Sequence, residues 1–188
     1  MTIEWPAIRI ELPSWVDEVV RAHPGPLDDA AAMGLAIALA RGVMERGEGG
    51  PFGAVVVDAA GNLVAPGMNR VLASGQSWAH AEMIALAIAQ RRWGTHDLAT
   101  APGAPLTLVT TGEPCAMCLG AIPWSGVSRV VAGAREADIT ALGFDEGDKP
   151  AAGLEALGRR GIEVRRDVRR AEVARVLSDY AAAGGPIY

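Results

Sequence analysis

A chain of 188 residues, half of them hydrophobic and only 5% aromatic, is long enough to bury one full core and reads as a globular chain of one domain. Its formal net charge of −5 argues against nonspecific nucleic-acid binding, which depends on neutralising phosphates with Lys and Arg. No apolar run approaches a membrane span, and the start, Met1-Thr2-Ile3-Glu4-Trp5-Pro6, lacks the basic end and apolar core of a signal peptide, so a cytoplasmic protein with no membrane partner is expected.

Residues 1–27 are interrupted by prolines and read as an N-terminal extension packed on a domain spanning 28–188. Ser14 can cap a short helix, Trp15 to Ala22, that His23-Pro24-Gly25-Pro26 stops, and Trp5 and Trp15 are expected to pack. Asp28-Asp29 opens a helix running to about Glu45, with Met33, Ile37, Ala40, Val43 and Met44 at helical spacing. Phe52 to Asp58 is an apolar, β-rich run; Ala59-Ala60-Gly61-Asn62 turns it, and Leu63 to Val71 returns as the second arm of a hairpin. Ala79 to Arg92 is helical up to Gly94, and 95–104 is a loop. Leu106 to Thr110 is a strand, Ala116 to Ile122 a helix, Val127 to Gly133 a strand and Glu136 to Leu142 a helix. After a polar loop, Gly143 to Pro150, come a helix at Leu154 to Arg160, a strand at Ile162 to Arg166, a helix at Arg169 to Ala183 and a short tail.

Strands separated by helices imply parallel pairing after the first hairpin, and helices on both faces. The expected fold is therefore a three-layer α/β/α sandwich around a mixed five-stranded sheet, with its last two strands parallel.

The chemistry concentrates in two stretches, His80-Ala81-Glu82 and Pro114-Cys115-Ala116-Met117-Cys118. Cys115 and Cys118, the only cysteines, stand three apart at a helix start, which puts both sulfurs on one face and beside free N–H groups that favour thiolates. His80 opens the other helix. Two thiolates and one imidazole supply three ligands to a zinc ion and leave a fourth position for water, whereas a structural zinc wants a fourth side chain. Glu82 beside them suits an acid/base that takes a proton from that water and passes it to a substrate. Zinc hydroxide with a recycled proton fits hydrolytic removal of an amino group from an aromatic ring. A thioredoxin-like redox pair is disfavoured because no matching βαβ start precedes Pro114, and His23 and His96 lack ligand companions.

The H-x-E…P-C-x-x-C arrangement is a signature of zinc deaminases. From about Asp28 to the C-terminus the chain resembles the cytidine and deoxycytidylate deaminase superfamily, and within it the guanine deaminase branch. The stretches that carry the resemblance are Pro51-Phe52-Gly53-Ala54-Val55, Asn69, His80-Ala81-Glu82, Glu113 to Ile122, Trp124 and Gly143-Phe144-Asp145-Glu146. The resemblance implies one zinc per subunit on His80, Cys115 and Cys118, with Glu82 as proton shuttle and Glu146 as a second acid at the ring edge. It implies a nucleobase site lined by Phe52, Ala81 and Trp124, with Asn69 bonding the base. It also implies a homodimer, often with exchanged C-terminal segments, and a tail ending in Tyr188 that covers the site. Trp78 is expected to narrow the entrance. The implied reaction is guanine to xanthine plus ammonia. Cytosine and aminotriazines such as ammeline are rivals with the same mechanism. A tRNA adenosine deaminase and a non-catalytic zinc module are further alternatives; the first is disfavoured because the arginines from Arg159 to Arg175 are interleaved with acids, the second because Glu82 is intact.

Overall fold

The computed structural model describes residues 4–188. Helix α1 (Trp15–Arg21) precedes the long α2 (Asp29–Glu45), whose N-cap Asp28 accepts a hydrogen bond from the Ala31 N–H at 2.8 Å. Strands β1 (Gly53–Val57) and β2 (Leu63–Met68) form the hairpin. A one-turn helix, α3 (Val71–Ser74), takes up the end of what reads as strand in the sequence. Then come α4 (Ala81–Trp93), closed by Gly94 in the left-handed conformation, and a 3₁₀ turn at Leu98–Thr100. β3 (Thr107–Gly112), α5 (Ala116–Ser125), β4 (Arg129–Ala134) and α6 (Glu136–Thr140) follow. α7 (Glu155–Gly158), β5 (Glu163–Arg165) and α8 (Arg170–Ala182) complete the chain. Helix α5 continues through Pro123, beyond the Ile122 boundary read from the sequence.

The sheet order is β2-β1-β3-β4-β5. Pairing is parallel for β3–β4 and β4–β5, as expected, but β3 pairs antiparallel with β1. The crossover through α4 carries the chain past β1, so β3 runs in the direction of β2 and lands beside the reversed strand of the hairpin. One face is covered by α1, α2 and α8, where Met33, Leu35, Leu39, Val173 and Leu177 are buried; the other is covered by α4, α5 and α7, with Ala85, Leu86, Ile122 and Leu157.

Two helices lie close enough to the hairpin that only glycine fits. A Cβ on Gly53 would stand 2.1 Å from the Ala36 carbonyl oxygen of α2, and one on Gly67 would stand 2.4 Å from that of Ala81 in α4. The second contact seats the first turn of α4 directly on β2. In the N-terminal segment, the Trp15 ring lies over Gly42 of α2, with the Arg46 guanidinium 4.7 Å from its centroid. Trp5 does not pack as expected; it is 82% exposed, because residues 4–11 form no helix or strand that could press it on the core.

Candidate active site

Strands β2, β3 and β4 end at one edge of the sheet, and the reversed β1 begins there. A cavity of about 350 Å³ opens at this edge. Such a place, outside the carboxyl ends of parallel strands, is where α/β sheets generally take ligands.

Two helix N-termini converge on it. His80 is the N-cap of α4 and Cys115 the N-cap of α5, both with extended backbone. Cys118 follows one turn into α5 and is almost fully buried. One donor atom from each of His80, Cys115 and Cys118 lies within 4.8 Å of the other two, and Cys115 Sγ stands 3.5 Å from His80 Nδ1. With Zn–S near 2.3 Å and Zn–N near 2.0 Å, tetrahedral ligand atoms sit roughly 3.5–3.8 Å apart, so the donor set fits zinc in chemistry and in scale. The hydrogen bond from Cys118 draws the Cys115 thiol down to about 4, and the same bond, with burial, pushes Cys118 up. Burial pulls His80 down, but its bond to Cys115 and the charges of Glu82, Cys115 and Glu146 prevail and hold it above its ordinary value.

Glu82 lies in the first turn of α4 and is 7% exposed. Burial, then the Cys115 charge, raise its carboxyl, while the Cys118 hydrogen bond opposes them. Glu146 lines another part of the cavity. Burial pushes it up to about 7 against the pull of Lys149, whose Nζ stands 3.0 Å from Glu146 Oε2. The Glu146 carbonyl accepts from the Ala116 N–H at 2.9 Å, which ties this loop to the start of α5.

Asn69, 2% exposed, follows β2. Its Oδ1 accepts from the Tyr188 hydroxyl at 2.7 Å, the Val71 N–H at 3.1 Å and the Gly50 N–H at 3.3 Å. That leaves Nδ2 as the group it can offer to a ligand. Tyr188 also accepts from the Gly50 N–H at 3.0 Å, and burial raises its hydroxyl to about 12. The tail that carries it is held by Tyr180, whose hydroxyl donates to the Pro186 carbonyl at 2.7 Å. Phe52, Phe144 and Tyr188 form an aromatic wall; Phe144 meets the other two edge-on, with centroids 5.1 and 6.1 Å away.

The fold thus gathers His80, Ala81, Glu82, Cys115, Phe52, Asn69, Glu146 and Tyr188 around one cavity, with Cys118 behind the metal group. It does not bring in Trp124, which is 78% exposed because it lies on the outward side of α5, whose inner side carries Leu119 and Ile122. Trp78 does not narrow the entrance either; it lines a separate groove with Ile10, Ile84 and Ile88. Sequence reasoning passed over Phe144 and Ile139 as cavity walls, and over Lys149. The signal for Lys149 was in plain view: it is the chain's single lysine among many arginines.

Comparison with known proteins bears on this geometry. Residues 27–134 match the cytidine and deoxycytidylate deaminase zinc-binding region. A guanine deaminase of Bacillus subtilis (strain 168) is 39% identical over 122 residues, covering 62% of this chain and 74% of that protein. The solved guanine deaminase from Nitrosomonas europaea superposes with a TM-score of 0.85 at 39% identity, covering 94% of this chain and 97% of the other. The structure of the protein designated NE0047 with 2,6-diaminopurine gives 0.86 at 40% identity, over 97% and 96%.

Proposed function

The chain belongs to the cytidine and deoxycytidylate deaminase zinc-binding family, and from that premise we propose that it is a zinc-dependent aminohydrolase converting guanine and water to xanthine and ammonia. The observation that carries the substrate is Glu146, a second buried carboxylate in a cavity that already contains Glu82. Guanine offers two N–H donors along one ring edge, which a carboxylate accepts, and ring and carbonyl acceptors elsewhere, which Asn69 Nδ2 can meet. Phe52 and Phe144 supply apolar walls for the ring faces.

His80, Cys115 and Cys118 would hold one zinc ion. Held there, zinc would supply a nucleophilic water at neutral pH. Glu82 accepts a proton from the attacking water and delivers it to the ring nitrogen beside the aminated carbon. It takes the second proton and gives it to the departing amine, so that ammonia leaves and the carbonyl of xanthine forms. Burial raises the Glu82 carboxyl above its ordinary value, the direction that favours taking up a proton. Glu146 orients the ring edge and the leaving amino group, and Asn69 and Tyr188 close the far side and exclude water.

The same reading includes a cytoplasmic homodimer. The exposed Met117 and Trp124 on α5 support an interface there, and exchange of the C-terminal segments, which would carry Tyr188 into a partner's cavity, belongs to the same reading. Residues 1–27 are read as an extension that braces α2 through Trp15 and takes no part in the chemistry. Four of the arginines in the C-terminal basic cluster, Arg165, Arg166, Arg169 and Arg170, are paired with carboxylates, which favours a small substrate over a tRNA. Steady-state ammonia release from guanine, cytosine, ammeline and guanosine tests the proposal. Guanine is expected to give the highest kcat/KM, and cytosine well above guanine would overturn it.

A further inference from the structure

We propose that Lys149 is the positioning residue of the acceptor carboxylate: it grips Glu146 through Oε2 alone and so leaves Oε1 for the substrate. This rests on the reading of Glu146 given above.

Lys149 Nζ stands 3.0 Å from Glu146 Oε2 and 3.2 Å from Glu136 Oε2, and the side chains of Lys149 and Glu146 are each only 9% exposed. The Glu136 side chain is half-exposed, and its place is set by its backbone. The residue opens α6, and its backbone N–H donates to Glu113 Oε2 at 3.0 Å. Glu113 directly follows β3, and its other oxygen lies 3.0 Å from Arg166 Nε in an ion pair poorly aligned for a hydrogen bond. The ammonium therefore ties a loop carboxylate to the end of the sheet that also carries the metal group. Among the described residues Oε1 of Glu146 has no hydrogen-bonded partner.

The choice of lysine has a physical reason. Every other cationic chain in this protein that is not histidine is arginine. A guanidinium is a planar fork that takes both oxygens of a carboxylate, as the bidentate pairs Arg135–Asp167, Arg169–Glu172 and Arg170–Asp138 do here. An ammonium is a compact point charge that can touch one oxygen of each of two acids. At Glu146 only the second arrangement balances the buried charge and still leaves an oxygen to accept from a ring edge.

The test is a set of variants assayed for ammonia release from guanine, with zinc content and Tm recorded for each: Lys149→Met, Lys149→Arg, Glu136→Gln, Glu146→Gln, and the Lys149→Met/Glu146→Gln double variant. Lys149→Met is expected to lose on the order of ten- to a hundredfold in kcat/KM, a usual loss when the group orienting an active one is removed. Lys149→Arg is expected to fall as well, though it keeps the charge. Glu136→Gln, which leaves the cavity untouched, falls less. In the double variant the lysine change adds nothing to the loss from Glu146→Gln, because its effect passes through that carboxylate. A purely structural lysine would lower Tm and give additive losses. Lys149→Met or Lys149→Arg within twofold of wild type, with Glu146→Gln impaired, overturns this inference alone. Glu146→Gln at the wild-type rate overturns the role of Glu146 and this inference with it.

Discussion

Glu82 and Asn69 are both almost closed to solvent, but their polar atoms meet different fates. Glu82 faces the metal group, and its carboxyl is raised by burial first and the neighbouring thiolate second. Replacing it with Gln keeps the shape and removes the carboxylate that we propose carries the proton. Glu82→Gln should therefore bind zinc at the wild-type level and lose roughly 10²–10⁴-fold in kcat, the range general acid–base groups contribute. Metal analysis beside an ammonia assay checks it, and unchanged turnover would refute the mechanism. Asn69 has its oxygen committed to Tyr188, Gly50 and Val71. Tyr188→Phe removes one of those donors while keeping the ring against Phe144. It should raise KM for guanine by about fivefold, the worth of one hydrogen bond of ~1 kcal/mol, with a smaller change in kcat. A KM within error of wild type would mean that the other two donors suffice to orient the amide.

At the scale of elements, the site depends on where α4 rests. Its first turn carries Glu82 and its N-cap is His80, and Gly67 of β2 sits directly beneath. A methyl group on Gly67 would meet the Ala81 oxygen at 2.4 Å and the Ala85 nitrogen at 2.6 Å. Neither atom can move without moving the helix. Gly67→Ala should cost about 1–3 kcal/mol, as overpacking does, and lower zinc affinity along with activity. Gly120→Ala, on the open side of α5 where a Cβ meets nothing within 4 Å, should instead stabilise by about 0.5–1 kcal/mol. Paired thermal melts check both. Helix boundaries were largely readable from the chain, since Asp28 and Gly94 are a cap acceptor and a left-handed terminator by their chemistry. The seat of α4 was not, because a glycine in a strand looks the same whether or not a helix presses on it.

For the whole molecule, the start of α2 is tied to strands β4 and β5 by charge. Asp29, at the start of α2, accepts from both terminal nitrogens of Arg129 of β4, at 2.5 and 2.8 Å, and is also paired with Arg165 of β5. The Arg129 hydrogen bonds hold its carboxyl below the ordinary value, against burial. A depressed pKa gives stability that is present above the unfolded value, near pH 4, and is lost as pH falls through the lower folded value. Asp29→Asn should therefore cost roughly 1–3 kcal/mol at pH 7, as hydrogen bonds to charged groups do, and the gap from wild type should close in acid. Denaturant titrations at pH 7 and pH 3 measure it; an equal gap at both would sink the assignment. Zinc couples to folding in the same sense, because it binds the folded chain. A chelator should lower Tm and abolish ammonia release, and added zinc should restore both.

The chain by itself determined the chemistry. A His, two Cys and a Glu at those spacings are the residue types that a water-activating zinc site requires, and residue type is a property of the sequence. It also determined the α/β/α layering, because strand and helix periods are local properties. Only the tertiary structure decided which distant residues share the cavity. Asn69, Glu146 and Tyr188 converge because three strand ends, one loop and a returning tail meet at one sheet edge. Trp124 turned outward because the inner side of α5 was already filled by Leu119 and Ile122. Lys149 acquired a role because an acid from α6 stands on its far side. Such pairings are long-range contacts between side chains, and spacing along a sequence does not encode them.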